Sequence, residues 1–288
     1  MRGPPGDRSV ADLLAFGVVN LDKPPGPSAH QVAGWVRDLA GVDRAAHAGT
    51  LDPKVTGCLP VLLGDATRLA PVFLEGGKEY VAVLELHRPA PADLDAVLAA
   101  FESDLYQKPP RKSAVARRLR TRTVSDLTVL DHRDRQVLLR IRCESGTYVR
   151  KLCHDLGLAL GTGAHMGDLR RTATDPFDDR DLVTLHDLAD ALAWADDGDE
   201  ERLREVVAPA ERALSGLPRV VIAPSAAAEV AHGAPVYAPG VLSVDADAAA
   251  SDLVACVTPD DAAVCLGRLV GDPDADSGTV VDLERVLV

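Results

Sequence analysis

The chain has 288 residues, 47% of them hydrophobic, and a formal net charge of −13 at pH 7. This length suits two domains better than one, and the apolar content is sufficient for a substantial core. The first twenty residues lack a positively charged start followed by an apolar core, and no apolar run is long enough to span a bilayer. We therefore expect a cytoplasmic protein without a membrane partner.

The first predicted elements are a strand and a helix joined by a loop rich in Pro and Gly. Phe16–Leu21 is apolar enough for a short strand, and "DKPPG" follows it. Ser28 fits a helix N-cap, with Gln31 as its capping-box partner. Apolar residues then follow at helical spacing, namely Val32, Trp35, Val36 and Leu39. Gly41 ends this predicted helix.

The middle of the chain alternates predicted strands and helices. Lys78–His87 and Gln136–Cys143 have the alternation of strands, and a weak helix is predicted over Pro91–Phe101 between them. A further helix follows Gly146, with Val149, Leu152, Leu156 and Leu160 on one side. Arg150 lies off that side, near the start of the helix.

The predicted secondary structure changes from helices to short strands in the last part of the chain. An amphipathic helix capped by Thr184 precedes an acidic turn, "DDGDEE". From Leu217 onward the sequence has short valine-rich strands separated by turn signals, such as "RVVIA", "GVLSV" and "AVCLGRLV". This pattern indicates a small β-barrel after a mixed α/β region.

The charges are distributed unevenly along this acidic chain. Between Gln107 and Thr123 there are seven cations and no acid, namely Lys108, Arg111, Lys112, Arg117, Arg118, Arg120 and Arg122. A solvated face is one interpretation, but seven charges of one sign beside a Pro-Pro pair favour a loop that faces phosphates. The abundance of Asp and Ala and the scarcity of Lys are typical of proteins from salt-loving archaea.

The five cysteines do not form a recognisable site. They are odd in number and scattered, with no CxxC pair and no matching His cluster. We expect them to be reduced, metal-free and buried as small hydrophobic residues.

One short stretch, "HAGTLDPKVTG", places Asp52 between Leu51 and Pro53. An Asp-Pro turn would explain it, because the residue before proline is pushed out of the helical region. A catalytic carboxylate is the alternative.

Several motifs together favour the second interpretation. "LDKPPGPSAHQV", "HAGTLDPKVTGCLPV", "KEYV", "LYQKPPRKSAV", "ESGTYVRKLCHDLG" and "GAHMGDLRRT" occur in the order of the tRNA pseudouridine synthase B family. The chain most resembles the dyskerin-like branch, the catalytic subunits of archaeal and eukaryotic H/ACA ribonucleoproteins. "HGAPVYAPGVLSV" resembles a PUA domain.

The resemblance implies an α+β pseudouridine synthase fold with a central mixed, largely antiparallel sheet over residues 1–215. A small C-terminal β-barrel, the PUA RNA-binding domain, would occupy residues 216–288. One departure concerns the segment after "LRRT", where the family has a Gly-containing stretch and this chain has Ala173–Pro176.

The implied activity is isomerisation of uridine to pseudouridine, which needs no redox change, metal or cofactor. A carboxylate can initiate it as a nucleophile or as a base. Asp52 matches the family carboxylate, Arg150 the arginine that keeps it ionised, and Tyr80 the tyrosine that stacks on the flipped base. Tyr148 and Leu169 match residues of the pocket wall. Tyr80 and Tyr148 could instead be core aromatic residues of a strand or of a helix edge.

Other residues have two interpretations each. His47 either touches RNA or bonds its own loop, and Lys23 either sits in a surface turn or supports the catalytic loop near the substrate. Arg170 and Arg171 could be charges at a helix end. His232 and Gly233 lie where PUA domains approach RNA, although Gly233 could equally cap a helix.

The resemblance implies a substrate and partners as well. The expected substrate is ribosomal RNA, selected by an H/ACA guide RNA together with small H/ACA particle proteins. One alternative is a guide-independent enzyme that acts on the T loop of tRNA, and another is an RNA-binding scaffold without catalysis.

Overall fold

The computed structural model describes residues 2–109, 116 and 118–288. The helices are Val10–Ala15 (α1), Ala29–Ala40 (α2), Val72–Glu75 (α3), Leu94–Ala100 (α4), Val149–Ala159 (α5), Leu185–Asp196 (α6), Glu201–Val206 (α7) and Pro224–Ala231 (α8). Short 3-10 turns connect several of these elements.

The strands fall into two groups along the chain. The first group is Gly17–Lys23 (β1), Ala45–His47 (β2), Thr56–Leu63 (β3), Lys78–Leu86 (β4), Asp104–Gln107 (β5), Arg120–Arg133 (β6), Gln136–Cys143 (β7), Ala164–Thr174 (β8), Phe177–Asp178 (β9) and Ala208–Pro209 (β10). The second group is Arg219–Ile222 (β11), Val236–Tyr237 (β12), Val241–Val244 (β13), Leu253–Val257 (β14), Ala263–Leu269 (β15) and Thr279–Val286 (β16).

The first group forms one large mixed sheet. Its main path runs β10-β1-β3-β8-β4-β7-β6-β5, with β2 paired to β3 and β9 to β8. The β3–β8 pair is parallel, whereas the other named strand pairs of this sheet are antiparallel. The predicted α+β fold with a mixed, largely antiparallel sheet is confirmed.

Helix α2 begins and ends where the sequence predicts. The amide of Gln31 donates to Ser28 Oγ (3.2 Å), the amide of Ser28 donates to Gln31 Oε1 (2.9 Å), and Gly41 ends α2 with φ = +62°. Only part of the predicted apolar series is buried, because Trp35 is 46% exposed. Helix α2 packs through the stripe Ala29, Val32, Ala33, Val36 and Ala40, and Trp35 and Leu39 lie beside that stripe.

The other predicted elements of the first sheet region are present, with one error. Strands β4 and β7, helix α5 and the Thr184-capped helix α6 occupy the expected positions, and α4 is shorter than Pro91–Phe101. The interpretation of Arg170 and Arg171 as helix-end charges is wrong, because both lie within strand β8. Arg170 is half-buried there, and Arg171 is buried.

The second group of strands forms a separate six-stranded sheet, in the order β12-β16-β15-β14-β11-β13. It packs directly on the first part of the chain, because Phe16 and Leu62 share one hydrophobic cluster with Leu253 and Leu266. The domain boundary between residues 215 and 216 falls in the segment between the two sheets and stays a prediction.

All five cysteines are buried and free. Burial raises the pKa of the Cys58 thiol to about 12 and that of Cys143 to about 11, so neither is ionised near neutral pH. This fits their predicted role as small hydrophobic residues. Among the described residues, no helix has the length and apolar character needed to cross a membrane.

Candidate active site

Asp52 lies in the loop between β2 and β3. The amide of Val55 donates to the main-chain oxygen of Asp52 (3.0 Å), and the amide of Gly26 donates to the oxygen of Pro53 (2.8 Å). The segment is therefore a turn, as the simpler interpretation of the sequence expected. The turn also presents the Asp52 side chain outward, with 52% of it exposed, so the turn and the catalytic interpretation are compatible.

Lys23 is a buried residue that hydrogen-bonds the main chain of this turn. Its Nζ donates to the oxygens of Pro24 (2.9 Å), Pro53 (3.0 Å) and Val55 (2.9 Å), and the residue has no exposed surface. Burial lowers the pKa of Lys23. An ammonium used in this way fits a support of the loop, not direct contact with substrate.

Arg150 reaches Asp52 from another element. It is the second residue of α5, and its guanidinium donates to the Asp52 carboxylate in an ion pair. Both side chains are about half exposed. Ion pairs this exposed add little to stability, so the pair is better understood as placing a charged carboxylate at an open surface.

The other pocket candidates surround this pair. Leu51, Val55, Tyr80 and Val149 belong to one hydrophobic cluster, and Leu169 packs against it from strand β8. Because Leu51 precedes Asp52 and Val149 precedes Arg150, this cluster forms an apolar floor beside the two charges. The structure thus brings Asp52 and Arg150 into contact, and Tyr80 and Leu169 belong to the hydrophobic cluster that also contains their neighbours Leu51 and Val149. Tyr148 is the N-cap of α5, two residues before Arg150.

Tyr80 is 9% exposed and lies opposite Arg171 in the β4–β8 register. Burial raises the pKa of the Tyr80 hydroxyl, and the nearby Arg171 acts in the opposite direction. The phenol therefore stays neutral near pH 7. Tyr80 is thus a core aromatic residue in this structure, and its stacking on a flipped base stays a prediction.

Arg171 is a feature of the site that the sequence analysis missed. It is 1% exposed, and its guanidinium donates to the oxygens of Cys58 (2.7 Å) and Gly49 (3.3 Å). It thereby joins strand β3 to the start of the Asp52 loop. Gly49 has φ = +101°, and a Cβ there would lie 3.4 Å from Arg171 Nη1. No periodic signal in "LRRT" would have placed Arg171 inward, because Leu169 and Arg170 are both half-buried and Arg171–Thr174 are all buried.

His47 is half-buried at the end of β2. Burial lowers its pKa, and the positive charge of Arg171 adds to that effect. Its Nδ1 has no hydrogen-bond partner among the described residues. The RNA contact and the loop contact of His47 both stay predictions.

The basic run is only partly described. Lys108, Arg118 and Arg120 are exposed, as a phosphate-facing surface requires. Arg111, Lys112 and Arg117 lie outside the described residues. Arg122, which belongs to the same run, is half-buried, and its guanidinium is paired with Glu144 at 2.7 Å.

The segment Ala173–Pro176, which departs from the family pattern, is held at both ends. Strand β8 continues to Thr174, and the amide of Asp175 donates to the oxygen of Gly77 (3.1 Å). The Asp175 carboxylate forms an ion pair with Arg142. Neighbouring strands therefore fix this segment.

The two C-terminal candidates lie at the end of α8. His232 is exposed and its Nδ1 lies 2.8 Å from the oxygen of Ala228. Gly233 follows the helix with φ = +94°, a conformation that glycine adopts without cost. The helix-cap interpretation of Gly233 is confirmed, and RNA contact by both residues stays a prediction. Across residues 2–109, 116 and 118–288, no three His, Cys, Asp or Glu residues are grouped to hold a metal ion.

Comparison with known proteins identifies the family. Residues 37–93 match the TruB family pseudouridylate synthase N-terminal domain, and residues 150–215 match the tRNA pseudouridylate synthase B C-terminal domain. Residues 3–33 match the DKCLD (NUC011) domain and residues 218–287 the PUA domain. The probable tRNA pseudouridine synthase B of Halobacterium salinarum is 70% identical, covering 100% of this chain and 99% of the relative.

The chain belongs to the TruB family of pseudouridine synthases. It is therefore an RNA-modifying isomerase with a PUA domain. The corresponding protein of Pyrococcus abyssi is 46% identical over 99% of this chain and 87% of the relative. Matches at 70% and 67% identity come from Halobacterium and Haloarcula, which agrees with the halophilic composition.

Solved structures resemble the whole chain. A chain of the crystal structure of a Cbf5-Nop10-Gar1 complex is 46% identical, with a TM-score of 0.94, and the match covers 100% of this chain and 89% of that one. A chain of an H/ACA ribonucleoprotein bound to a substrate RNA containing 2′-deoxyuridine is 44% identical, with a TM-score of 0.92 over 99% and 89%.

Proposed function

We propose that this protein converts specific uridines of ribosomal RNA to pseudouridine under the direction of an H/ACA guide RNA, with Asp52 as the catalytic carboxylate. The observation that supports this most directly is the half-exposed ion pair of Asp52 with Arg150. The full-length similarity to chains from H/ACA complexes supports the guide RNA, the RNA substrate and small partner proteins.

The reaction is an isomerisation, so every atom of the nucleotide is retained. The bond from uracil N1 to ribose C1′ breaks, a bond from C5 to C1′ forms, C5 loses its proton and N1 gains one. Asp52 initiates the exchange, as a nucleophile or as a base. Arg150 favours the charged carboxylate, and stacking on Tyr80 offsets part of the cost of flipping the nucleotide out of its helix.

The remaining predicted residues have places in this proposal. The catalytic domain is assigned to residues 1–215 and the PUA domain to residues 216–288. Exposed Lys108, Arg118 and Arg120 contact RNA phosphates, and His232 and Gly233 contact RNA from the PUA domain. Tyr148 and Leu169 line the pocket. The protein acts in the cytoplasm, where an archaeal cell keeps its ribosomal RNA.

A second candidate function is guide-independent modification of the T loop of tRNA. The names of the relatives, probable tRNA pseudouridine synthase B, favour this candidate. Because the same carboxylate would serve both functions, only the RNA substrate separates them. Family membership as an isomerase argues against the third possibility, a scaffold without catalysis.

The deciding experiment compares two preparations of the protein. Purified protein alone is incubated with tRNA, and protein assembled with guide RNA and the small partner proteins is incubated with matching ribosomal RNA. Pseudouridine is then mapped in both RNAs. We expect modification of the ribosomal RNA at the guided uridine, and an Asp52→Asn variant should abolish it. Modification of tRNA by the protein alone, with none in the guided RNA, would overturn the proposal.

A further inference from the structure

Gln107 is a buried polar residue to which the proposed mechanism assigns no role. It is the last residue of β5 and is 2% exposed, whereas the preceding Tyr106 is 74% exposed. This alternation directs the Gln107 carboxamide inward from the edge strand of the large sheet. An amide in such a position is costly unless its polar atoms are bonded, so its partners identify what it does.

Both polar atoms of Gln107 bond the main chain of Tyr148. The amide of Tyr148 donates to Gln107 Oε1 (2.8 Å), and Gln107 Nε2 donates to the oxygen of Tyr148 (3.3 Å). A single carboxamide thus bonds both the main-chain amide and the main-chain oxygen of Tyr148. A residue of a neighbouring β-strand makes the same pair of hydrogen bonds. Two bonds of this kind fix the orientation of the Tyr148 peptide as well as its position.

Tyr148 is the residue from which the catalytic helix starts. It is the N-cap of α5, a place where Ser, Thr, Asp or Asn normally supplies a side-chain oxygen, and Arg150 follows two residues later. The amides of Lys151 (2.9 Å) and Leu152 (3.0 Å) donate to the oxygen of Tyr148. The peptide that Gln107 holds is therefore the one on which the first turn of the helix is built.

The preceding turn has a separate attachment. Glu144 is bonded by Arg122 (2.7 Å) and by the amide of Thr123 (3.3 Å), and its main-chain oxygen accepts from Thr147 Oγ1 (2.8 Å). These contacts secure the chain where it leaves β7. Gln107 acts closer to the chemistry, because it bonds the residue two positions before Arg150.

We propose that Gln107 is a positioning residue for the isomerisation, which sets the direction from which Arg150 reaches Asp52 by holding the main chain of Tyr148. This inference rests on the proposed function, since it assumes that the Asp52–Arg150 pair is the catalytic pair. The two hydrogen bonds of Gln107 go to the main chain of Tyr148 and not to the Asp52 carboxylate. Small displacements of a catalytic group can cost about 100-fold in rate, so loss of this anchor should affect the chemical step.

The test uses the full chain in the assembled complex and measures the single-turnover rate with enzyme in excess, together with the Kd for substrate RNA. Gln107→Met has a similar shape and lacks both hydrogen bonds. We expect its rate to fall roughly 10- to 100-fold, while the Kd stays within about twofold. Hydrogen exchange at residues 144–152 should become faster in the same variant.

Two further variants separate positioning from general damage. Gln107→Glu keeps the acceptor for the Tyr148 amide, so its rate should lie between those of the parent and of Gln107→Met. Gln136→Met removes a different glutamine bond, the one to Glu85 (2.7 Å) at the far end of β7, and should keep the parental rate. If Gln107→Met does not fold, Gln107→Glu alone decides the test.

The contrary outcomes are distinct. A parental rate in Gln107→Met, or in Gln107→Glu where that variant decides, would overturn the inference, as would equal losses in rate and RNA affinity. Failure of the parent complex to modify the guided RNA would instead overturn the proposed function. In that case the same variants would be measured with the RNA that the parent does modify.

Discussion

The Nζ of Lys23 donates a hydrogen bond of 3.0 Å to the oxygen of Pro53, the residue that follows Asp52. Further bonds to Pro24 and Val55 make the ammonium a common support for two loops. A Lys23→Met variant would remove this donor from the oxygens of Pro24 and Val55, whereas the oxygen of Pro53 would keep its bond from the Gly26 amide (2.8 Å). Since each unsatisfied buried group costs about 1–3 kcal/mol, we expect a clear loss in the free energy of unfolding, measured by urea denaturation.

The same variant should lose turnover more than RNA affinity, because the Asp52 turn loses its support while the exposed cations are unchanged. Lys54→Met is a suitable control, since Lys54 lies in the same loop and is exposed. Equal stability of Lys23→Met and Lys54→Met would show that the three hydrogen bonds contribute little.

Asp52→Asn keeps the shape of the side chain but not its charge. We expect it to bind RNA with an affinity close to that of the parent and to form no pseudouridine, because an amide cannot act as the nucleophile or base. Asp43→Asn makes the same change at a nearby exposed position and should be fully active. Residual turnover of Asp52→Asn near the parental rate would refute the assignment.

The exposed cations of the basic run should be detectable in the salt dependence of RNA binding. Replacing Arg118 and Arg120 by Ala removes two phosphate contacts, so the slope of log K against log salt should become shallower by about one to two units. Arg133→Ala, at the exposed far end of β6, is the matched control. An unchanged slope in the double variant would mean that Arg118 and Arg120 do not contact phosphates and that the basic run is a solvent-exposed surface.

Lys78 gives a prediction about pH. Its Nζ is buried and donates to the oxygens of Phe73 (3.0 Å) and Gly76 (2.8 Å). Burial, with Arg171 adding to it, lowers the pKa of Lys78 from 10.5 to about 8. The unfolded chain therefore binds more protons than the folded one between these two values, so the contribution of Lys78 to stability rises with pH there.

The comparison is made against Lys78→Met. Between pH 7.5 and 9.5 the parent should gain on the order of 1 kcal/mol in the free energy of unfolding relative to the variant, measured by urea denaturation at both values. The opposite trend would mean that the hydrogen bonds of the ammonium outweigh its desolvation.

The sequence predicted elements well where local signals are strong. The capping box of Ser28 and Gln31, the terminating Gly41 and the alternation of Lys78–Leu86 all depend on residues close together in the chain. The pairing of Asp52 with Arg150 joins residues that are 98 positions apart, and only the family motifs placed them together.

The family resemblance offered Lys23 as a support of the catalytic loop, whereas Gln107 and Arg171 could not be predicted as supports. Lys23, Gln107 and Arg171 act through main-chain oxygens and amides of distant residues, and such partners have no side-chain signature in the sequence. Arg171 was also assigned to a helix end, since "LRRT" is too short to show a period. Burial of these polar side chains became visible only in the folded chain.

The hydrophobic cluster shared by Phe16, Leu62, Leu253 and Leu266 has a consequence for substrate selection. Because both sheets contribute to one core, the separation between His232 and Asp52 is set by packing and cannot adjust to each RNA. An RNA can contact both residues only if the two contacted parts of the RNA are separated by that same distance. Under the proposed function, a uridine would then qualify by its distance along the RNA fold from the PUA contact, in addition to its pairing with a guide.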